Sequence, residues 1–266
     1  MVKDITIGQF IPGNSFTHKA DPRTKIILTI LYMSLIFMLN SYPGYLAYAC
    51  FTLLIIIGSE IPIKYTLKGL KPVMLIVVFT ALINMFTVGG TPIVDYWLLN
   101  RITYEGVDMS VKMALRLALL IMGASLLTYT TTPIALTDGI EKLMKPLSKI
   151  GLPVHEIAMM MSIALRFIPT ILEETEKIIK AQSSRGADFD TGNLMQRAKS
   201  FIPVLVPLFI SAFRRADDLA TAMEARCYRG SVGRTRMKQL KFSRADILVS
   251  AIMLVFAAGI LTIQYL

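Results

Sequence analysis

Between Ile26 and Ser59 the chain runs 34 residues without a charged side chain, and the pattern returns at Pro72 to Val94, Leu117 to Thr137 and Ile247 to Leu266. As one helix the first run would reach roughly 50 Å, well beyond a hydrocarbon core of about 30 Å, so it must fold back on itself. Asn40-Ser41-Tyr42-Pro43-Gly44 supplies the turn chemistry and divides it into two short spans, with Arg23 and Lys25 placed to snorkel at the entry. The pattern therefore predicts about five membrane-crossing helices. Tyr96 and Trp97 follow the third, where interfacial aromatics are expected.

Residues 131–244 keep the helical period but are interrupted by proline. Thr132-Pro133 opens a helix towards Ile150 that Gly151 and Pro153 end, a second runs from His155 to Arg185 with a kink at Pro169, and residues 186–192 form a loop. A third runs from Leu194 to about Arg229 with Pro203 and Pro207 inside it. There is no strand signal. Ile157 to Leu165 is apolar all round and Phe201 to Phe213 nearly so, yet both are short for spanning. They fit helices lying on the membrane surface or packed on a membrane partner; the rival is a proline-kinked hairpin dipping through the bilayer.

Composition agrees with a membrane protein: 54% of residues are hydrophobic, only 17% are charged and the mean hydropathy is +0.59. The net charge of +10 raises nucleic acid as a partner, but its distribution argues against one. Lys3, Lys19, Arg23 and Lys25 precede the first span, the turn at 40–44 carries no basic residue, 59–71 carries Lys64, Lys68 and Lys71, and 89–111 carries only Arg101. This alternation puts the N-terminus and residues 131–244 in the cytoplasm and the C-terminus outside. The long segment holds 18 Lys and Arg against 11 Asp and Glu, so it supplies most of the excess. The expectation is an all-α polytopic protein of the cell membrane: four spans within 1–130, a cytoplasmic helical region over 131–244 and a C-terminal span over 245–266. The N-terminal residues carry no pattern of a removable signal, and Cys50 and Cys227 are read as reduced thiols.

No phosphate-binding loop, zinc-type His-Glu-x-x-His helix or Cys-x-x-Cys pair occurs, so neither ATP splitting, a metal nor a cofactor is expected. His18 and His155 read as surface or cap residues. Serines and threonines have no base assembled near them in sequence. A stand-alone carrier or membrane-embedded enzyme would need paired ionisable residues inside its spans, and the uncharged runs contain none. Arg116, one turn inside the fourth span, would be costly in lipid and should snorkel outward in preference to facing protein.

Two arginines stand in matching frames. Ile178, Ala181 and Arg185 repeat as Leu219, Ala222 and Arg226, at one-face helical spacing, and Phe167-Ile168-Pro169 upstream repeats as Phe201-Ile202-Pro203. An arginine at a helix C-terminus is favoured by the macrodipole, and Gly186 reads as a left-handed cap, so capping explains one such site. Two in one register behind alanines also suit docking, because small side chains admit another surface and a guanidinium can fork onto carboxylates or helix-end carbonyls.

The stretch from Arg166 to Gly186, together with Ala216 to Gly230, resembles the two coupling helices of the transmembrane T component of energy-coupling factor transporters, which are ATP-driven vitamin importers. That family carries two Ala-Arg-Gly tripeptides. Here they read Ser184-Arg185-Gly186 and Ala225-Arg226-Cys227, each departing at one flank. The resemblance implies two cytoplasmic ATP-binding subunits docked at Ala181, Ser184, Arg185 and Gly186 and at Ala222, Ala225, Arg226 and Cys227. It further implies an exchangeable substrate-binding membrane subunit; Met159, Met160, Met161, Phe201 and Phe209 are its expected contacts, the methionines being able to repack against different partners or simply to fill a core.

Overall fold

A computed structural model describes residues 10–91, 103–189, 191–230 and 240–265; the expected interfacial Tyr96 and Trp97 lie outside them. Regular structure among the described residues is helical, without strands. The helices are α1 (Phe16–Lys19), α2 (Pro22–Phe37), α3 (Tyr42–Gly58), α4 (Ile63–Thr87), α5 (Tyr104–Thr130), α6 (Pro133–Met144), α7 (Val154–Ser184), α8 (Leu194–Ser200), α9 (Ile202–Ala225) and α10 (Arg244–Tyr265). A 3-10 stretch, Lys145–Ile150, follows α6 and ends on Gly151 at φ +90°. The chain forms two compact units: α1 to α6 with α10, and the 3-10 stretch with α7 to α9. The second helix-rich segment of the sequence is thus shared, α6 grouping with the apolar helices.

By length and composition α4, α5, α7 and α10 are able to cross a membrane, and α3 is a shorter apolar helix. The uncharged runs located α3, α4, α5 and α10 but misplaced their ends, and the first half of the first run falls on α2, whose 16 residues are not among these candidates. α4 begins about two and a half turns before Pro72 and takes in Lys64, Lys68 and Lys71, while α5 begins at Tyr104 and stops at Thr130. Charges end an apolar run without ending a helix. α7 joins the candidate spans because the nine-residue run Ile157 to Leu165 is only the opening of a continuous 31-residue helix that passes through Pro169. The expected helix from Leu194 to about Arg229 is broken at Phe201, which caps both α8 and α9. Pro203 stands in the first turn of α9, where a missing main-chain donor costs no helical bond, so the break falls where proline is best accommodated.

In lipid, helices gain little from hydrophobic burial against one another and associate through close packing and interhelical hydrogen bonds. The core of the first unit does both. Tyr32, Leu35, Ile36 and Leu39 of α2 meet Tyr45 and Tyr48 of α3, Leu119 of α5, and Met253, Ala257 and Ile260 of α10. The Tyr32 hydroxyl donates to the Leu119 carbonyl at 3.1 Å and bonds Thr52 Oγ1 at 2.8 Å, and the Tyr48 hydroxyl donates to the Tyr32 carbonyl. Phe51 stacks on Phe256 with centroids 3.6 Å apart. α4 rests on α5 through small residues: a methyl built on Gly69 or Gly106 would come within 3.2 Å of Ser125 or 3.1 Å of the Met85 carbonyl. Ser110 donates across this pair to the Ala81 carbonyl at 2.8 Å, and Tyr129 to the Tyr65 carbonyl at 3.0 Å.

Arg116 faces protein. It donates to the Leu39 carbonyl at 2.8 Å and to the Tyr45 hydroxyl at 3.0 Å, closing the turn between α2 and α3. The charge nearest the fourth span is therefore spent on the helix end that the turn leaves open.

Gly123 tests this packing. A Cβ there would lie 2.2 Å from Cε1 of Tyr32, so α5 approaches α2 only because the position is bare. Gly123→Leu should destabilise the chain by about 1–3 kcal/mol. Thermal unfolding in detergent is the measurement, and an unchanged midpoint would refute the close approach.

Candidate functional site

The second unit is built on α7 and α9. Gln182, late in α7, donates to the carbonyl of Pro203, early in α9, at 3.5 Å, and Arg215 pairs with Glu174 at 2.5 Å. These two pairings make the helices antiparallel. Between them Ile163, Phe167, Ile171, Leu208, Ala212 and Leu219 line an apolar cleft of about 200 Å³, closed on one side by the Glu174–Arg215 pair. That ion pair is partly solvated, so it contributes at most about 1 kcal/mol and serves mainly to fix the register of the two helices. Its partners are 41 residues apart, and no periodicity in the sequence announces them.

Both helices end in the same way. α7 is capped by Arg185 and α9 by Arg226, with nearly equal backbone angles. After α7 the Gly186 amide bonds the Ser183 carbonyl and the Ala187 amide bonds that of Gln182, each at 3.0 Å; after α9 the Cys227 amide bonds Glu224 at 2.8 Å and the Tyr228 amide bonds Met223 at 3.0 Å. This is the Schellman arrangement twice. Gly186 takes its left-handed step at φ +89°, and Cys227 takes the same step at φ +56° although it has a side chain. The cysteine that replaces glycine in the second tripeptide thus keeps the cap, at a conformational cost of about 1–2 kcal/mol.

These caps separate two roles for the arginines. A guanidinium that capped its helix would donate to last-turn carbonyls, but main-chain amides already take those of Gln182, Ser183, Met223 and Glu224. Neither Arg185 nor Arg226 has a side-chain hydrogen bond or ion pair with any described residue. Both are exposed, as are Ala181, Ser184, Gly186, Ala222, Ala225 and Cys227. Ser184 is partly spoken for, its hydroxyl donating to the Lys180 carbonyl at 3.0 Å. The structure does not bring the two arginine groups together. The antiparallel register puts them at opposite ends of the hairpin, separated by about the length of α9, whose 24 residues extend roughly 36 Å.

The remaining sequence candidates are spread along the hairpin. Met159 is half-buried and Met160 and Met161 are exposed near the start of α7; Phe209 is exposed midway along α9, and Phe201 stands at its start with its ring 5.2 Å from that of Phe189. What the sequence reading missed is the continuity of the apolar surface around Phe209. Ile202, Leu205, Val206, Phe209, Ile210 and Phe213 are all exposed and recur at intervals of three and four, a single stripe on the face of α9 turned away from the cleft. Its signal was in the sequence as a nearly all-apolar run. What periodicity could not tell was which side α7 would cover.

Apolar helices packed through small residues, with a separate amphipathic hairpin exposing spare arginines and an uncovered apolar stripe, define a polytopic membrane protein built to join other subunits. Residues 13–238 match the family described as Cobalt transport protein, CbiQ. Three relatives called energy-coupling factor transporter transmembrane protein EcfT match nearly end to end. The one from Ruminiclostridium cellulolyticum is 66% identical, covering 100% of this chain and 99% of its own; that from Clostridium kluyveri is 57% identical over 96% and 95%; that from Thermosediminibacter oceani is 56% identical over 92% of each. The chain belongs to this family of energy-coupling factor transporter transmembrane components, and is a membrane protein of a transport system.

The two caps respond oppositely to substitution. Gly186→Ala should weaken the end of α7 by about 1 kcal/mol, whereas Cys227→Gly should relax the end of α9 by a smaller amount because glycine also gains freedom in the unfolded chain. Hydrogen exchange at the Ala187 and Tyr228 amides reads each effect: faster at Ala187 in the first variant, slower at Tyr228 in the second.

Proposed function

We propose that this chain is the shared transmembrane scaffold of an ATP-driven importer, in which Arg185 and Arg226 each dock one of two cytoplasmic ATP-binding subunits. The observation that carries the reading is the pair of spare guanidinia at opposite ends of one hairpin, on helix ends already satisfied by main-chain bonds. Each fork is free to meet a carboxylate or a helix-end carbonyl of a partner, and Ala181 and Ala222, one turn earlier, leave room for that partner's surface.

Movement of the two ATPases towards each other on binding ATP would displace the two ends of the hairpin in opposite senses. α7 and α9 would then swing about their shared cleft, changing the angle between them. A substrate-binding membrane subunit resting on the stripe from Ile202 to Phe213, and on the exposed methionines at 160 and 161, would tilt with that swing. Hydrolysis belongs to the partners, and this chain supplies the lever. The separate membrane subunit sets the substrate, a vitamin or another micronutrient. In this reading the N-terminus and the hairpin are cytoplasmic and Leu266 is outside, as the alternation of basic residues requires.

Truncating one guanidinium removes a charge-assisted fork worth about 1.5–3 kcal/mol, but no cap bond. Arg185→Ala and Arg226→Ala should therefore each lower uptake without lowering the amount of chain, and the double variant should abolish uptake and release the ATPases. Lysine at either position should restore only part of the activity, since it keeps charge and loses the planar fork. Uptake in cells, together with retention of ATPases on the tagged chain, is the test. A double alanine variant that holds both ATPases and transports normally would sink the docking assignment.

A further inference from the structure

A set of buried charges outside the hairpin gathers at the first turn of α2. Asp21, Lys25 and Asp246 are each less than a tenth exposed, an arrangement that is costly unless every charge is paired and hydrogen-bonded. All three are. Asp246 accepts the Asp21 amide on Oδ1 and the Ser243 amide on Oδ2, both at 2.6 Å. Asp21 accepts the amide, Nε and Nη2 of Arg23 at 2.9, 3.1 and 3.0 Å, and the same guanidinium donates to the Leu240 carbonyl at 3.2 Å and lies 4.5 Å over the Phe242 ring. Burial raises the Asp21 carboxyl, yet the bonds and charge of Arg23 and the charge of Lys25 hold it below the usual carboxylate range. Lys25 Nζ donates to the Thr130 carbonyl at 3.0 Å and to the His18 carbonyl and Thr131 hydroxyl at 3.3 Å, which engages all three of its protons. Pro22 and Ile26 complete the turn: a Cβ on Gly139 would lie 3.0 Å from Pro22 Cβ and 3.1 Å from Ile26 Cδ1, so α6 sits directly on it.

The segments gripped here share one property. The first unit ends at Leu143 and resumes at Gln239. Thr130, Thr131 and Gly139 lie on the path out of it, and Leu240, Phe242, Ser243 and Asp246 on the path back. One helical turn therefore holds both connections to the hairpin unit, from inside the membrane unit. A buried lysine that satisfies only main-chain and hydroxyl oxygens at such a place fixes position; it is not arranged to meet a ligand.

We propose that the Asp21–Ile26 turn is a positioning anchor, with Lys25 at its centre, that clamps the outgoing and returning segments so that displacement of the hairpin is delivered to the membrane helices and not lost in slack connections. This rests on the lever reading of the hairpin. Lys25→Met keeps the apolar stem and removes the three donors. In the complete complex reconstituted in vesicles it should retain its ATPases and hydrolyse ATP within about twofold of the unsubstituted rate, while substrate taken up per ATP falls on the order of tenfold. Unchanged uptake per ATP, or a fall that only follows the amount of assembled complex, overturns the proposal. If the unsubstituted chain holds no ATPase, the lever reading itself fails, which is a different result.

Loss of a buried charge can prevent folding, so a second measurement uses the unsubstituted complex. Hydrogen exchange at residues 21–26, 130–132 and 243–246 should be the same with and without ATP, while amides at the ends of α7 and α9 change. Nucleotide-dependent exchange within the anchor would overturn the proposal without any variant being made.

Discussion

The antiparallel packing of α7 on α9 is the constraint on which the rest depends. It decides which faces of two amphipathic helices are covered by each other, and hence that Ile202, Leu205, Val206, Phe209, Ile210 and Phe213 are left uncovered. It also carries Arg185 and Arg226 to opposite ends, although the sequence presents them as twin motifs. Parallel packing of the same helices would set both arginines side by side, where like charges repel and a single partner could cover them. The energetic demands are modest: an apolar cleft, one partly solvated ion pair and a terminal amide bond. A pairing held by so few contacts is compatible with two arrangements of similar free energy, which is what the proposed swing would require.

The unit of α1 to α6 with α10 is held differently. There the contacts are hydroxyl-to-carbonyl bonds such as Tyr32 to Leu119 and Tyr129 to Tyr65, together with glycines whose missing side chains let helices meet. Within a hydrocarbon surrounding such bonds meet no competition from water, and the glycines admit a close approach that a side chain would obstruct. The two units are thus held by different kinds of contact. The buried charges at Asp21, Lys25 and Asp246 stand at the connections between those two regimes.

Much of this was legible in the residues. Uncharged runs marked the apolar helices because charge is expensive in lipid, and the repeated frame of Ala181–Arg185 and Ala222–Arg226 marked the two capped ends. Other features were beyond one-dimensional pattern. α4 and α5 begin several turns before their uncharged runs because Lys64, Lys68, Asp108 and Lys112 are compatible with helix, and Lys112 pairs with Asp108 at 2.7 Å one turn away. The break at Phe201 and the unbroken passage through Pro169 involve the same residue type and differ only in what surrounds it. Arg116 reads from sequence as a residue that snorkels outward; its bond to Leu39 depends on α2 turning into α3 beside it, which no local pattern shows. The Schellman bonds that release the arginines from capping are main-chain geometry, and Cys227 in a glycine's conformation is the kind of departure that composition conceals.

The central claim is that the two ends of the hairpin hold two separate ATPases. It is tested most directly by placing a photo-activated cross-linking residue at Ala181, at Ala222 and at both, in chains that keep their arginines, and determining the mass of the products from native membranes. The account predicts that each single position captures one ATP-binding polypeptide and that the doubly substituted chain yields a product containing two. A doubly substituted chain that captures only one, or either position linking instead to the substrate-binding membrane subunit, would contradict it.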